Sequence, residues 1–336
     1  LMTFFIMNGV ESLIMWLGAD RVGAHAMQIG SISALIEYAM LILFFMMMAQ
    51  FAMLSVPRAL ACLDRAVEVL EVSPQIRDAE ECKEPAMVGE EVARFDHASL
   101  RYADADEDTL RDLDFSIRRG QVCAIIGNTG SGKSTVAKML LRFCDATEGS
   151  LRFGGVDVRE ISQETLRSHI AYVPQKAWLF SGTIAENLRH GRADATDEEL
   201  WHALDVAQAS FVRELPDGLD SRVAQGGTNF SGGQRQRLAI ARALVRQADL
   251  YVFDDSFSAL DFKTDAALRH ALASELAGAA TLIIAQRVST IHDANQIVVL
   301  KDGRIVGLGT HDALMQTCET YRAIAQSQAR KEDIRG

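Results

Sequence analysis

Gly127-Asn-Thr-Gly-Ser-Gly-Lys-Ser134 decides how this chain is read, because its spacing is G-x-x-x-x-G-K-[ST]. In that pattern glycines let successive backbone N–H groups curl around phosphate oxygens, and the lysine neutralises their outer charge. The flanks agree. Val122 to Ile126 is an apolar run ending at Gly127, which predicts a buried strand, and Thr135 to Leu141 has helix-forming composition. The loop therefore joins a strand to a helix N-terminus, where the dipole favours anions. A chance glycine-rich turn is the competing reading, and the strand and helix on either side disfavour it. Ser134 is expected to place its hydroxyl on Mg²⁺. A second buried-strand pattern, Leu250-Tyr-Val-Phe, ends in Asp254 and Asp255, and Asp254 is expected on the metal side of the site. The alternative for that pair is an acidic opening to a solvated loop.

Outward from this centre the composition changes sharply. The formal charge of −11 argues against nucleic-acid binding, since a phosphate backbone demands a basic surface. Residues 1–60 hold only Glu11, Asp20, Arg21, Glu37 and Arg58 as charged groups, whereas 24% of the chain is charged. Tyr38 to Val56, interrupted only by Gln50 and Ser55, predicts a transmembrane helix. Leu1 to Leu17 is a shorter second candidate with Asn8 and Glu11 inside it, joined to the first through a turn near Gly18 to Gly30; a buried soluble hairpin is the alternative for both. Glu11 and Glu37 face either a cavity or missing helices and are left out of the site. Arg58 and Arg65 follow the second span, which points the C-terminal side to the cytoplasm. The five cysteines, Cys62, Cys82, Cys123, Cys144 and Cys318, show no C-x-x-C spacing and read as reduced thiols.

Two further stretches give these patterns a family likeness. Together with Phe230-Ser-Gly-Gly-Gln234 and Tyr172-Val-Pro-Gln175, the phosphate loop and the Asp254 strand resemble the nucleotide-binding domain of an ATP-binding cassette (ABC) transporter, from about Val88 to Gln326. The resemblance implies an α-helical transmembrane segment followed by an α/β P-loop NTPase cassette, with a RecA-like core, an antiparallel β layer and a helical subdomain. It implies ATP and Mg²⁺ as cofactors, with Gly127, Asn128, Thr129, Gly130, Ser131, Gly132, Lys133, Ser134 and Thr135 on the phosphates. Tyr102 resembles the residue that stacks on adenine, although a buried core tyrosine is the competing reading. Gln175 resembles the glutamine that senses the metal, so Ser134, Gln175 and Asp254 form the implied metal set. Ser231, Gly232, Gly233 and Gln234 resemble the signature segment that covers ATP held by the opposite subunit. Asp261, in Ser258-Ala-Leu-Asp261, resembles the loop that communicates between the two sites.

Two positions depart from that family. Hydrolysing members place a glutamate after the metal carboxylate and a histidine after the next apolar strand; here they are Asp255 and Gln286, the latter following Thr281-Leu-Ile-Ile-Ala285. Aspartate is one methylene shorter, which draws its carboxylate back about 1.5 Å, and a misplacement of that size costs on the order of 100-fold. The Gln286 amide can hydrogen-bond a phosphate oxygen but cannot exchange a proton near neutral pH. Gln225, in Ala224-Gln-Gly-Gly, stands where exporters of this family usually carry a glutamate. The expectation is one half of a heterodimeric ABC exporter whose own site is slow and whose partner, a different half-transporter, carries the full catalytic set. A homodimeric exporter with a working Asp255 and a regulatory module without transport are the alternatives. Residues near Pro57 and Gly309-Thr-His311 look most like multidrug-type exporters, and the cargo is beyond reach. The expected domains are 1–56 membrane fragment, 57–87 helical extension and linker, 88–326 cassette and 327–336 polar tail. A half-transporter of this family carries six spans, so the chain is expected to be a fragment lacking about four of them.

Overall fold

The computed structural model describes residues 2–333. It divides into two compact units, residues 1–75 and 76–336.

The first unit is a pair of helices, Met2–Gly23 and Ile29–Glu71. They approach closely at Gly18, where a side chain would run into Ile32. Hydrogen bonds from Ala24 and Ala26 back to Asp20 and Arg21 close the first helix, so the turn falls between Gly23 and Ile29, within the stretch from Gly18 to Gly30 where it was expected. Among the described residues one helix, Ile29–Glu71, is long and apolar enough to cross a membrane. Met2–Gly23, expected as a second span, is helical but is not among such helices; Asn8, Glu11, Asp20 and Arg21 interrupt its apolar character. Ile29–Glu71 runs through Pro57 without a break. At 1.5 Å per residue it is roughly 65 Å long, about twice a ~30 Å hydrocarbon layer.

In the second unit a six-stranded sheet follows the order Arg304–Gly309, Gln296–Lys301, Val122–Gly127, Ala280–Ala285, Leu250–Asp254, Ile170–Val173. Five strands are parallel and the Arg304–Gly309 edge is antiparallel to its neighbour. Apolar runs rather than alternation in these strands reflect burial on both faces. Ala124, Ile126, Tyr251, Phe253 and Ile283 pack toward the helices, while Cys123, Ile125, Val252, Leu282 and Ile284 pack toward a second layer. That layer is an antiparallel sheet of Leu110–Arg118, Glu91–Leu100, Glu148–Phe153 and Val156–Asp157, with Phe95 stacked on Phe115 at 4.6 Å. Helices Ile184–Arg189, Asp197–Val206 and Gly232–Val245 make the helical part, the first two opened by Thr183 and Thr196 capping boxes. The antiparallel layer, parallel core and helical part are the architecture the sequence implied.

The stretch before the cassette makes more contacts than its composition suggests. Residues 73–85 read as a linker, yet Asp78 accepts from the Gln163 backbone amide at 3.0 Å and Lys83 pairs with Glu160 at 3.0 Å. Arg142, a buried guanidinium, donates to Asp145, to the Ile161 carbonyl and to the Arg77 carbonyl. Residues 76–86 therefore lie along the cassette, because a buried charge requires these acceptors. Near the C-terminus, Leu314, Cys318 and Tyr321 set their side chains into the core.

Candidate functional site

Parallel strands release their chains on one edge, and that edge gathers the site. Ile284 stands beside Asp254 and Ala285 beside Ile126, so Gly127, Asp254 and Gln286 leave the sheet together. Ile170–Val173 pairs with Leu250–Asp254 and delivers Pro174 and Gln175 to the same edge. This is the crevice outside the carboxyl ends of strands where open α/β sheets take ligands.

The loop after Val122–Gly127 is shaped by its glycines. Gly130 and Gly132 hold φ of 84° and 97°, a region closed to most side chains. A side chain at Gly127 would strike the Leu300 carbonyl and Ser131 Oγ. Gly132 caps helix Lys133–Leu140 without a side-chain acceptor. Among the described residues no backbone acceptor meets the amides of Gly130, Gly132, Lys133 or Ser134. Ser131 Oγ is buried and also without a partner. Unfilled donors and an orphan hydroxyl around a glycine cradle fit an anion with several acceptor oxygens. Lys133 Nζ donates to the carbonyls of Gly127 and Asn128 at 2.7 and 2.8 Å, arching over the loop. Burial holds the Lys133 ammonium below its ordinary pKa, opposed by the charges of Asp255 and Asp254.

Asp254 is buried at the end of its strand. Ser134 Oγ donates to its Oδ1 at 3.1 Å and Tyr172 Oη to its Oδ2 at 3.3 Å. Burial raises the Asp254 carboxyl above the usual range, against the pull of Ser134 and Tyr172. Among the described residues no group of three or more His, Cys, Asp or Glu could hold a metal. Ser134 and Asp254 instead offer two hard oxygen ligands, which suits Mg²⁺, an ion usually bound by one or two protein oxygens together with phosphates and water.

Asp255 is the feature that sets this site apart. Its Oδ2 accepts from Gln175 Nε2 at 2.9 Å and from Gln286 Nε2 at 2.8 Å. Its backbone has a φ of 48°, tolerable for aspartate, and is fixed by Asp255 N donating to the Ile284 carbonyl and Ser258 Oγ donating to the Asp255 carbonyl, both at 2.8 Å. Burial raises the Asp255 carboxyl, while the hydrogen bond from Gln175 favours the ionised form. Two amide donors engage Oδ2 and fix the direction of the carboxylate, so that only Oδ1 is left to accept a further donor.

The remaining candidates lie apart from this hydrogen-bonded cluster. Tyr102 is 38% exposed, so it is not a core tyrosine, and it neighbours Cys144. Ser231 Oγ accepts from the Gln234 amide while Gln234 Oε1 accepts from the Ser231 amide, a capping box at the start of Gly232–Val245. Asp261 caps the helix Phe262–Glu275 through the Thr264 amide. None of these forms a hydrogen bond to the phosphate loop of its own chain. Sequence reasoning did not single out Tyr172, whose hydroxyl steadies Asp254; its place three residues before Gln175 was the available signal. It also passed over Gln328, for which a polar helix gives no signal.

A glycine-cradled loop between a strand and a helix, with Ser134 hydrogen-bonded to the strand-end Asp254, has the form of a nucleotide-binding P-loop domain. Residues 110–258 match the family described as ABC transporter. An ABC transporter ATP-binding protein of Mycobacterium tuberculosis is 43% identical over 339 residues, covering 99% of this chain and 58% of that protein. The ATP-dependent lipid A-core flippase of Desulfotalea psychrophila is 36% identical over 275 residues, 82% of this chain and 48% of that protein. Among solved structures, a bacterial Atm1-family ABC exporter with ATP bound superimposes with a TM-score of 0.82 at 30% identity, covering 98% of this chain and 57% of that one. The chain carries an ABC transporter ATP-binding domain, preceded by apolar helix. It spans about half the length of these relatives, from 48% to 58%.

Proposed function

We propose that this chain is the ATP-binding subunit of a membrane exporter whose own hydrolytic site is slow. The observation that carries this reading is the double amide clamp on Asp255 Oδ2. Asp255 stands where the family's water-polarising glutamate is expected, on a shorter stem, and is tied to two groups that cannot take its proton. Gly127, Asn128, Thr129, Gly130, Ser131, Gly132, Lys133 and Thr135 would hold the triphosphate, with Tyr102 beside adenine. Ser134, Gln175 and Asp254 would hold Mg²⁺, which when bound supplies charge neutralisation on the phosphates. The exposed signature helix start, Ser231 to Gln234, would cover nucleotide on a partner cassette, with Asp261 at the same interface.

The partner in this reading is a different half-transporter with glutamate and histidine at the two altered positions, and Ser231 to Gln234 complete its working site. The apolar Ile29–Glu71 helix and the names of the relatives support a bilayer setting with the cassette in the cytoplasm. One observation favours a second reading, a homodimer with slow but real hydrolysis: the raised Asp255 carboxyl makes a stronger base once ionised. The full-length protein in lipid nanodiscs separates the two. Loaded with Mg-ATP and quenched with acid after several minutes, it is expected to return its bound nucleotide as ATP. Recovery mainly as ADP would support the second reading and reject the first.

A further inference from the structure

The loop that carries Gln286 is held from outside by the last helix of the chain. Gln328, on Glu319–Asp333, donates through Nε2 to the Gln286 carbonyl at 2.6 Å and accepts at Oε1 from the Val288 amide at 2.8 Å. One side-chain amide thus closes both backbone groups flanking Arg287, as a neighbouring strand would. Gln286 then extends its own amide to Asp255 Oδ2 at 2.8 Å. The helix bearing Gln328 is itself anchored, because Tyr321 is fully buried and its hydroxyl lies 2.8 Å from His311 Nδ1. The loop has little else to fix it: Gln286 and Arg287 are exposed and the helix that follows is only Val288–Ile291.

We propose that Gln328 is a positioning residue for the nucleotide site, acting through Gln286, and that the C-terminal helix thereby sets how firmly this chain distinguishes ATP from ADP. The inference rests on the reading of Gln286 and Asp255 as γ-phosphate-side groups. With Gln328 in place the Gln286 amide stays at the end of its strand, oriented toward Asp255 and the space beyond the phosphate loop. Without it the loop gains freedom, and the groups that meet only the third phosphate lose their preorganisation. Groups on the first two phosphates, from Gly127 to Ser134, are untouched.

The test compares Mg-ATP and Mg-ADP binding to the full-length protein in nanodiscs, for the unaltered protein, Gln328→Ala, Gln286→Ala and the double variant. Gln328→Ala is expected to weaken ATP about tenfold and leave ADP within twofold, and to add nothing in the Gln286→Ala background. Hydrogen exchange at the Val288 amide is expected to speed up, while the helix Lys133–Leu140 keeps its protection. An unchanged ATP-to-ADP ratio, an equal loss of both nucleotides, or an additive double variant would overturn the proposal while leaving the nucleotide-site reading intact. Failure of the unaltered protein to bind either nucleotide would instead overturn that reading, and this inference with it.

Discussion

Asp255→Glu combined with Gln286→His is expected to raise ATP turnover by the assembled transporter about 100-fold at the site this chain contributes. The added methylene returns the carboxylate about 1.5 Å toward the attacking water, and a displacement of that order is worth on the order of 100-fold. Replacing the Gln286 amide also removes one of the two donors that hold Asp255 Oδ2. A histidine there can exchange a proton near neutral pH, which the amide cannot. Each change alone is expected to give much less, because a longer acid still meets the Gln286 donor and a histidine still faces a short acid. Phosphate release under saturating Mg-ATP checks this, with the partner's site silenced so that only this one is read. Equal turnover before and after the double exchange would show that other residues limit the site.

Lys133→Ala is expected to have the largest effect on binding, lowering ATP affinity about 100-fold, equivalent to roughly 3 kcal/mol. Lys133 Nζ sits across the loop on the Gly127 and Asn128 carbonyls, held in a half-buried position that suits an anionic ligand better than water. Removing the ammonium leaves the backbone donors of Gly130, Gly132, Lys133 and Ser134 in place but takes away the cation that arches over the loop. Fluorescent-nucleotide titration of the full-length protein reads the shift directly. Unaltered affinity would mean that nucleotide is held elsewhere on the chain.

The centre of the site was legible because its spacing encodes backbone geometry. Glycines at 127, 130 and 132 can only mean close approach or positive φ, and the strands ending at Ile126 and Asp254 announce themselves by composition. Gln286 could be found by counting to the end of Thr281 to Ala285, since a parallel strand delivers its next residue to the same edge. What could not be read was convergence. That Gln175 and Gln286 end on one oxygen of Asp255 depends on three strands and their register, and no local pattern carries it. Gln328 was hidden for the same reason, as one polar residue among many on an amphipathic helix. Pro57 marked the start of the expected helical extension, and Ile29–Glu71 runs through it although a proline inside a helix costs one hydrogen bond and a clash, about 3 kcal/mol. The residues before the cassette looked like a free linker because charge and proline content read as loop. The buried Arg142, which draws residues 77 and 78 onto the cassette, is invisible in that stretch.

In the proposed reading the loop from Gly127 to Ser134 grips nucleotide, while Asp255, short and doubly clamped, seldom cuts it. Steady-state ATP hydrolysis by the full-length protein alone, beside its Asp255→Asn variant, tests this most directly. The account predicts a rate near background that the substitution leaves unchanged; brisk hydrolysis abolished by Asp255→Asn would contradict it.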